Sequence, residues 1–138
     1  MSKILTEAEI NNFKKDGAIF LKSKFDESWI NKLQKGIERD IKNPSPRFKS
    51  HTIEKGVPAY LEDYWTWDLV PEFNDFVFNS PYPKIASELM SAKKINLVMD
   101  NWFLREGGSK SSTPFHHDVS YFDMNGTMCV LWLPLQAT

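Results

Sequence analysis

A chain of 138 residues is one domain's worth, long enough to bury a core. A net charge of −1 with no block of Lys or Arg leaves no footprint for nucleic acid or an anionic membrane, and a single Cys excludes an internal disulfide. No apolar stretch approaches the roughly 20 residues of a membrane helix.

The elements follow in chain order. Met1-Ser2-Lys3 opens straight into a helix signal with no secretory pattern, so a cytoplasmic location is expected. Thr6 and Glu9 form a capping box, with Leu5 and Ile10 at the positions of a hydrophobic staple. The helix they start is expected over Glu7 to Asp16, with Gly17 as its left-handed stop, followed by a short strand from Ala18 to Lys22. Asp26 can cap a second helix whose Ile30, Leu33, Ile37 and Ile41 share one face; Pro44 and Pro46 end it. Residues 44 to 70 mix Pro, Gly, charges and aromatics without a period and read as a long loop with short extended pieces.

Two short helices are expected next, from Pro71 to Asn79 with Pro in its first turn, and from about Tyr82 to Ser91. Ile95 to Glu106 reads as a strand ending at Gly107-Gly108-Ser109. A polar loop leads to Phe115–Phe122, and Asn125-Gly126 marks a turn. Met128 to Leu135 is a continuous apolar run, expected to be a strand buried on both faces, with Cys129 as a buried thiol inside it. Helices come first and sheet afterwards, which gives an α+β class in one domain, 1–138. Gln136-Ala137-Thr138 follows a core-type strand directly, an ending expected of a chain that has been cut.

The concentrated ligand cluster is Thr113-Pro114-Phe115-His116-His117-Asp118. In an extended chain residues i and i+2 face the same side, so His116 and Asp118 can converge on one ion while His117 points away. An imidazole nitrogen and a carboxylate oxygen are two thirds of the facial triad that holds ferrous iron. Alone, His-x-Asp is a weak signal, and a surface His beside a turn Asp has the same sequence.

Its surroundings sharpen it. Met99 through Gly108, then Thr113 through Asp118, Tyr121-Phe122, and Cys129-Val130-Leu131-Trp132-Leu133-Pro134-Leu135 resemble the phytanoyl-CoA dioxygenase family of Fe(II)/2-oxoglutarate-dependent oxygenases. That family shows a strand, a loop closing in Pro-aromatic-His-x-Asp, a Tyr-aromatic pair and a strand with Trp near its end. The opening Leu5-Thr6 through Asp16-Gly17-Ala18-Ile19 also looks like the family's usual start; residues 44 to 94 match only in general pattern.

The resemblance implies N-terminal helices (1–94) packed on an incomplete double-stranded β-helix, the cupin-like jelly roll, whose first core strands occupy 95–138. It implies hydroxylation of a small organic substrate with Fe(II) and 2-oxoglutarate. His116 and Asp118 would be iron ligands. Trp102, His117 and Trp132 would fall at cosubstrate-binding positions, and His51 and Tyr121 on the substrate side. Arg105 stands where relatives often carry Lys and is expected to be a solvated charge at a strand end. The family's second iron-binding His and its 2-oxoglutarate-binding Arg would lie beyond position 138, so the chain is expected to be inactive alone. Packing tryptophans and an incidental His-x-Asp remain open, as does a non-catalytic interaction module. A half barrel leaves unpaired strand edges, so a homodimer or strand-exchanged oligomer through Ile95–Leu135 is expected, without nucleic-acid or membrane partners.

Overall fold

The structure is a computed structural model and describes residues 3–52, 56–110 and 112–136. Met1-Ser2 of the expected start and Ala137-Thr138 of the singled-out ending lie outside the described residues. The chain is α+β: helices α1 (Glu7–Asp16) and α2 (Glu27–Lys42), strands β1 (Lys49–Ser50) and β2 (Tyr60–Tyr64), helices α3 (Pro71–Asn79) and α4 (Tyr82–Leu89), strand β3 (Asn101–Arg105), and a 3-10 turn at Asp118–Tyr121.

The helix ends follow local chemistry. Thr6 and Glu9 exchange hydrogen bonds across the start of α1, Glu9 N–H to Thr6 Oγ1 at 3.2 Å and Thr6 N–H to Glu9 Oε2 at 2.7 Å. Gly17 takes the left-handed conformation at φ 74° that closes it. Asp26 caps α2 by accepting the Trp29 N–H at 3.2 Å. Helix α4 ends at Leu89, two residues short of the expected Ser91.

Two apolar clusters hold these elements together. Leu5, Ile85 and Leu89 tie α1 to α4, with Ile10, Phe13, Ile19 and Leu21 packed against them. The strand expected over Ala18–Lys22 is absent: Ile19 and Leu21 turn inward and Phe20 outward, but no strand lies alongside. That alternation serves packing on helices. The second cluster, Val70, Phe73 and Trp102 with Leu33, Ile37, Leu61 and Leu104 around it, joins α2 and α3 to the sheet. Here α2 and α3 approach so closely that a Cβ added at Gly36 would lie 2.4 Å from the Phe73 ring.

The sheet is antiparallel in the order β1-β2-β3. Asp63 pairs with Trp102, Leu61 with Leu104, and Tyr60 with Arg105. Successive side chains alternate faces. Leu61, Asp63, Trp102 and Leu104 therefore face α2 and α3, while Tyr60, Glu62, Tyr64, Phe103 and Arg105 share the opposite face. Glu106 extends the pairing, its N–H donating to the Ala59 carbonyl at 2.9 Å and its carboxylate accepting the Ala59 N–H at 2.7 Å.

Three expectations for the second half are corrected. The strand over Ile95–Glu106 shrinks to Asn101–Arg105, because only those residues find β2 as a partner. Phe115–Phe122 is irregular around its 3-10 turn. Met128–Leu135 forms no strand and is not buried on both faces: Leu131, Leu133 and Leu135 are half-buried, whereas Val130, Trp132 and Pro134 are exposed. The run lacks a neighbouring strand and a layer on its second face, and is tied at its end by Gln34 Nε2–H donating to the Leu135 carbonyl at 2.7 Å.

Candidate metal site

The segment from Ser112 to Asp118, called the strap here, leaves the sheet after the Gly107-Gly108 turn. Gly108 has φ 88°, a conformation glycine adopts without steric cost. Two bonds bring the strap back to the sheet face opposite the helices. Tyr60 Oη lies 3.1 Å from Thr113 Oγ1, and Arg105 Nη2–H donates to the same oxygen at 3.2 Å.

Beyond Thr113, the sequence places its two ligand candidates together. His116 Nε2 lies 3.2 Å from Asp118 Oδ1. His116 Nδ1 is 2.9 Å from the Pro114 carbonyl, which can only accept, so Nδ1 carries the proton. Nε2 then faces a carboxylate oxygen, and it is a bare lone pair only where the imidazole is neutral. Two acceptors so placed repel unless a proton or a metal cation lies between them. Two donors held about 2.1 Å from one ion at a right angle are about 3.0 Å apart, so the pair has the spacing of adjacent ligands. The Tyr121 ring lies edge-on to His116 with centroids 5.9 Å apart.

His116, His117, Asp118, Val119, Met128 and Val130 line a cleft of about 250 Å³. Side chains of His116 and Asp118 are about two-fifths exposed, so a metal would reach them from solvent. Cys129 is half-buried next to this wall, and burial pushes its thiol up from the ordinary range. It is a packing residue in a half-covered environment. Among the described residues no group of three or more His, Cys, Asp or Glu is arranged to hold a metal ion, so the pair fits two positions of a facial triad and lacks the third.

His117 and Tyr121 lie beside the pair, whereas Trp102, Trp132 and His51 do not line its cleft. Trp102 is buried among Val70 and Phe73, and its indole N–H donates to Asp40 Oδ2 at 2.9 Å, on the helix-facing side of the sheet. Trp132 is 73% exposed and is not among the residues lining the cleft. His51 pairs with Glu62 at 3.1 Å and packs on Tyr60 at 4.8 Å, beside the anchor of the strap. Arg105, expected to be a solvated charge, lies 4.3 Å over the Tyr60 ring as well as bonding Thr113.

Tyr60 and Thr113 were the residues that sequence reasoning passed over. The available signal for Tyr60 was the alternation Tyr60-Leu61-Glu62-Asp63-Tyr64, which places it on one face of a strand. Comparison of the chain with protein-family models, with curated proteins and with solved structures found no match in any of the three.

Proposed function

We propose that this chain is part of a non-haem Fe(II)/2-oxoglutarate-dependent dioxygenase of the phytanoyl-CoA dioxygenase type, hydroxylating a small organic substrate, with a jelly-roll architecture of which β2 and β3 are core strands. One observation carries the reading: an imidazole and a carboxylate converge at 3.2 Å on a cleft. The sheet supports it, since one face is covered by α2 and α3 and the other receives the strap bearing both ligands.

In this proposal His116 Nε2 and Asp118 Oδ1 bind the metal, and the Pro114 carbonyl holds the imidazole in the tautomer that exposes Nε2. Val119, Met128 and Val130 form the apolar wall of the cleft and keep water from part of it. His117 borders the same cleft, where it can meet the cosubstrate. The third ligand has to come from outside the described residues. Bound iron and 2-oxoglutarate supply the oxidation of a C–H bond. Anaerobic titration with Fe(II) and 2-oxoglutarate should raise a visible charge-transfer absorption that disappears in His116→Ala and Asp118→Asn. A folded wild-type protein lacking that absorption, or variants retaining it, defeats the reading.

A second reading has its own support. The free edge of β3 and the exposed apolar side of residues 128–135 suit a non-catalytic module that associates by strand pairing. It calls for a stable oligomer and no charge-transfer absorption.

A further inference from the structure

We infer that Tyr60, with Arg105 beside it, is a positioning residue: it clamps the strap to the sheet through the Thr113 hydroxyl and so sets the convergence of His116 and Asp118. The inference deepens the metal-site reading and rests on it for its functional meaning.

Among the described residues, few contacts hold the ligand-bearing segment. Thr113, Pro114, Phe115, His116 and His117 are all exposed, and Phe115 is fully so. The bond from His116 Nδ1 to Pro114 and that from Ser120 Oγ–H to the His117 carbonyl, at 2.6 Å, are local to the segment. They shape the turn without fastening it to the fold. Thr113 is where the strap meets a buried, rigid group.

Tyr60 suits that task. Its residue is 7% exposed, and its backbone lies in β2 opposite Arg105. The ring is sandwiched, with the Arg105 guanidinium 4.3 Å from its centroid and the His51 ring at 4.8 Å. A phenol held in this way has its hydroxyl fixed in space. Thr113 Oγ1 can accept from Arg105 and share a second hydrogen bond with Tyr60. Two residues, Pro114 and Phe115, separate Thr113 from His116, so freedom at the anchor passes directly to both ligands.

The test uses the full chain and two readouts. Tyr60→Phe keeps the ring and loses the hydroxyl. Thr113→Val loses both bonds to the strap, and Thr113→Ser restores the hydroxyl. In metal-free protein, amide exchange at Ser120, whose N–H bonds the His117 carbonyl of the strap, should quicken roughly fivefold in Tyr60→Phe, the effect of one hydrogen bond, and at least as much in Thr113→Val. Anaerobic calorimetry with Fe(II) alone should show affinity falling by the same factors. The double variant should fall no further than Thr113→Val, because the two side chains act through one contact. Thr113→Ser should match wild type in both readouts, and far-UV circular dichroism should be unchanged in all.

Unchanged exchange at Ser120 in both Tyr60→Phe and Thr113→Val overturns the inference. So does a double variant whose losses multiply. Should wild type take up no Fe(II), the metal-site reading fails, and the exchange measurement still decides the clamp. If Tyr60→Phe loses its fold, Thr113→Val and its rescue by Thr113→Ser decide.

Discussion

Trp102 donates its indole proton to Asp40, a carboxyl that is 2% exposed and faces two further acidic groups. Asp63, fully buried on β2, is held by the Ser45 N–H at 2.9 Å and the Ser45 hydroxyl at 2.7 Å. Asp100 accepts from the Thr66 N–H and hydroxyl, each at 2.9 Å. Burial pushes Asp40 up to about 6; the Trp102 hydrogen bond pulls the other way, and the neighbouring Asp63 and Asp100 add to the rise. A carboxyl raised on folding contributes fully below its unfolded value of 3.8, and that contribution is lost as pH rises through about 6. The ceiling is about 3 kcal/mol. Glu9, Asp26, Glu72 and Asp75 are lowered instead, by hydrogen bonds from Thr6, Ser28, Arg39 and Lys32 respectively, and their support fades as pH falls below the ordinary carboxylate range. They lie at or near the surface, where such pairs contribute little. Stability should therefore fall from about pH 4.5 to a plateau above about pH 6.5, by about 5 °C in melting temperature. Asp40→Asn, which can still accept from Trp102, should flatten that decline. A melting temperature that rises from pH 5 to pH 8 in wild type contradicts the assignment.

At the scale of elements, the contact between α2 and α3 sets two effects against each other at Gly36. Ala is the better helix former by about 1 kcal/mol. Its methyl, however, would sit 2.4 Å from Phe73 Cε1 and 3.1 Å from Glu72 Cβ. Phe73 is buried against Val70 and Trp102 and has little room to yield. Overpacking of this kind costs about 1–3 kcal/mol, so Gly36→Ala should be net destabilising by roughly 1 kcal/mol in urea unfolding. A stabilised variant would mean that the helices separate freely. The same contact marks the boundary of what the chain makes legible. Helices α1 to α3 were readable because caps, Gly17 and Pro71 are local signals, and α2 repeats its apolar positions at the helical period. Strand β2 was hidden, since Asp63 is buried through Ser45, a partner distant in sequence. Strand length depended likewise on where partners end, which Ile95–Glu106 does not encode by itself. For the site, His116 and Asp118 were legible as an i, i+2 pair, but the 3-10 turn that Asp118 opens and the place of His117 in the same cleft were not. The alternation around Tyr60 marks its face, but its partner Thr113, 53 residues away in the chain, left no local trace.

For the whole molecule, the distribution of unpaired and apolar surface argues for association. Strand β3 has β2 on one side only, and β1, the other edge, is two residues long. An edge strand offers a row of backbone donors and acceptors to any extended segment. Met128–Leu135 is such a segment: it is apolar throughout, has no strand partner, and turns Val130 and Trp132 outward. Large apolar side chains on one exposed side of an unpaired segment favour contact with another chain over contact with water. A second copy would supply both complements at once, its β3 edge and its own 128–135 run, in an isologous arrangement that closes on itself. Light scattering coupled to size exclusion should thus show a dimer or larger closed species whose share grows with protein concentration. Trp132→Glu places charge in the contact without touching a buried residue or the cleft, so it should shift the protein toward monomer while leaving circular dichroism and the melting transition at low concentration unchanged. A wild-type protein that stays monomeric at its highest soluble concentration, with a sharp melting transition, would show that these surfaces are covered within one chain and that strand exchange plays no part.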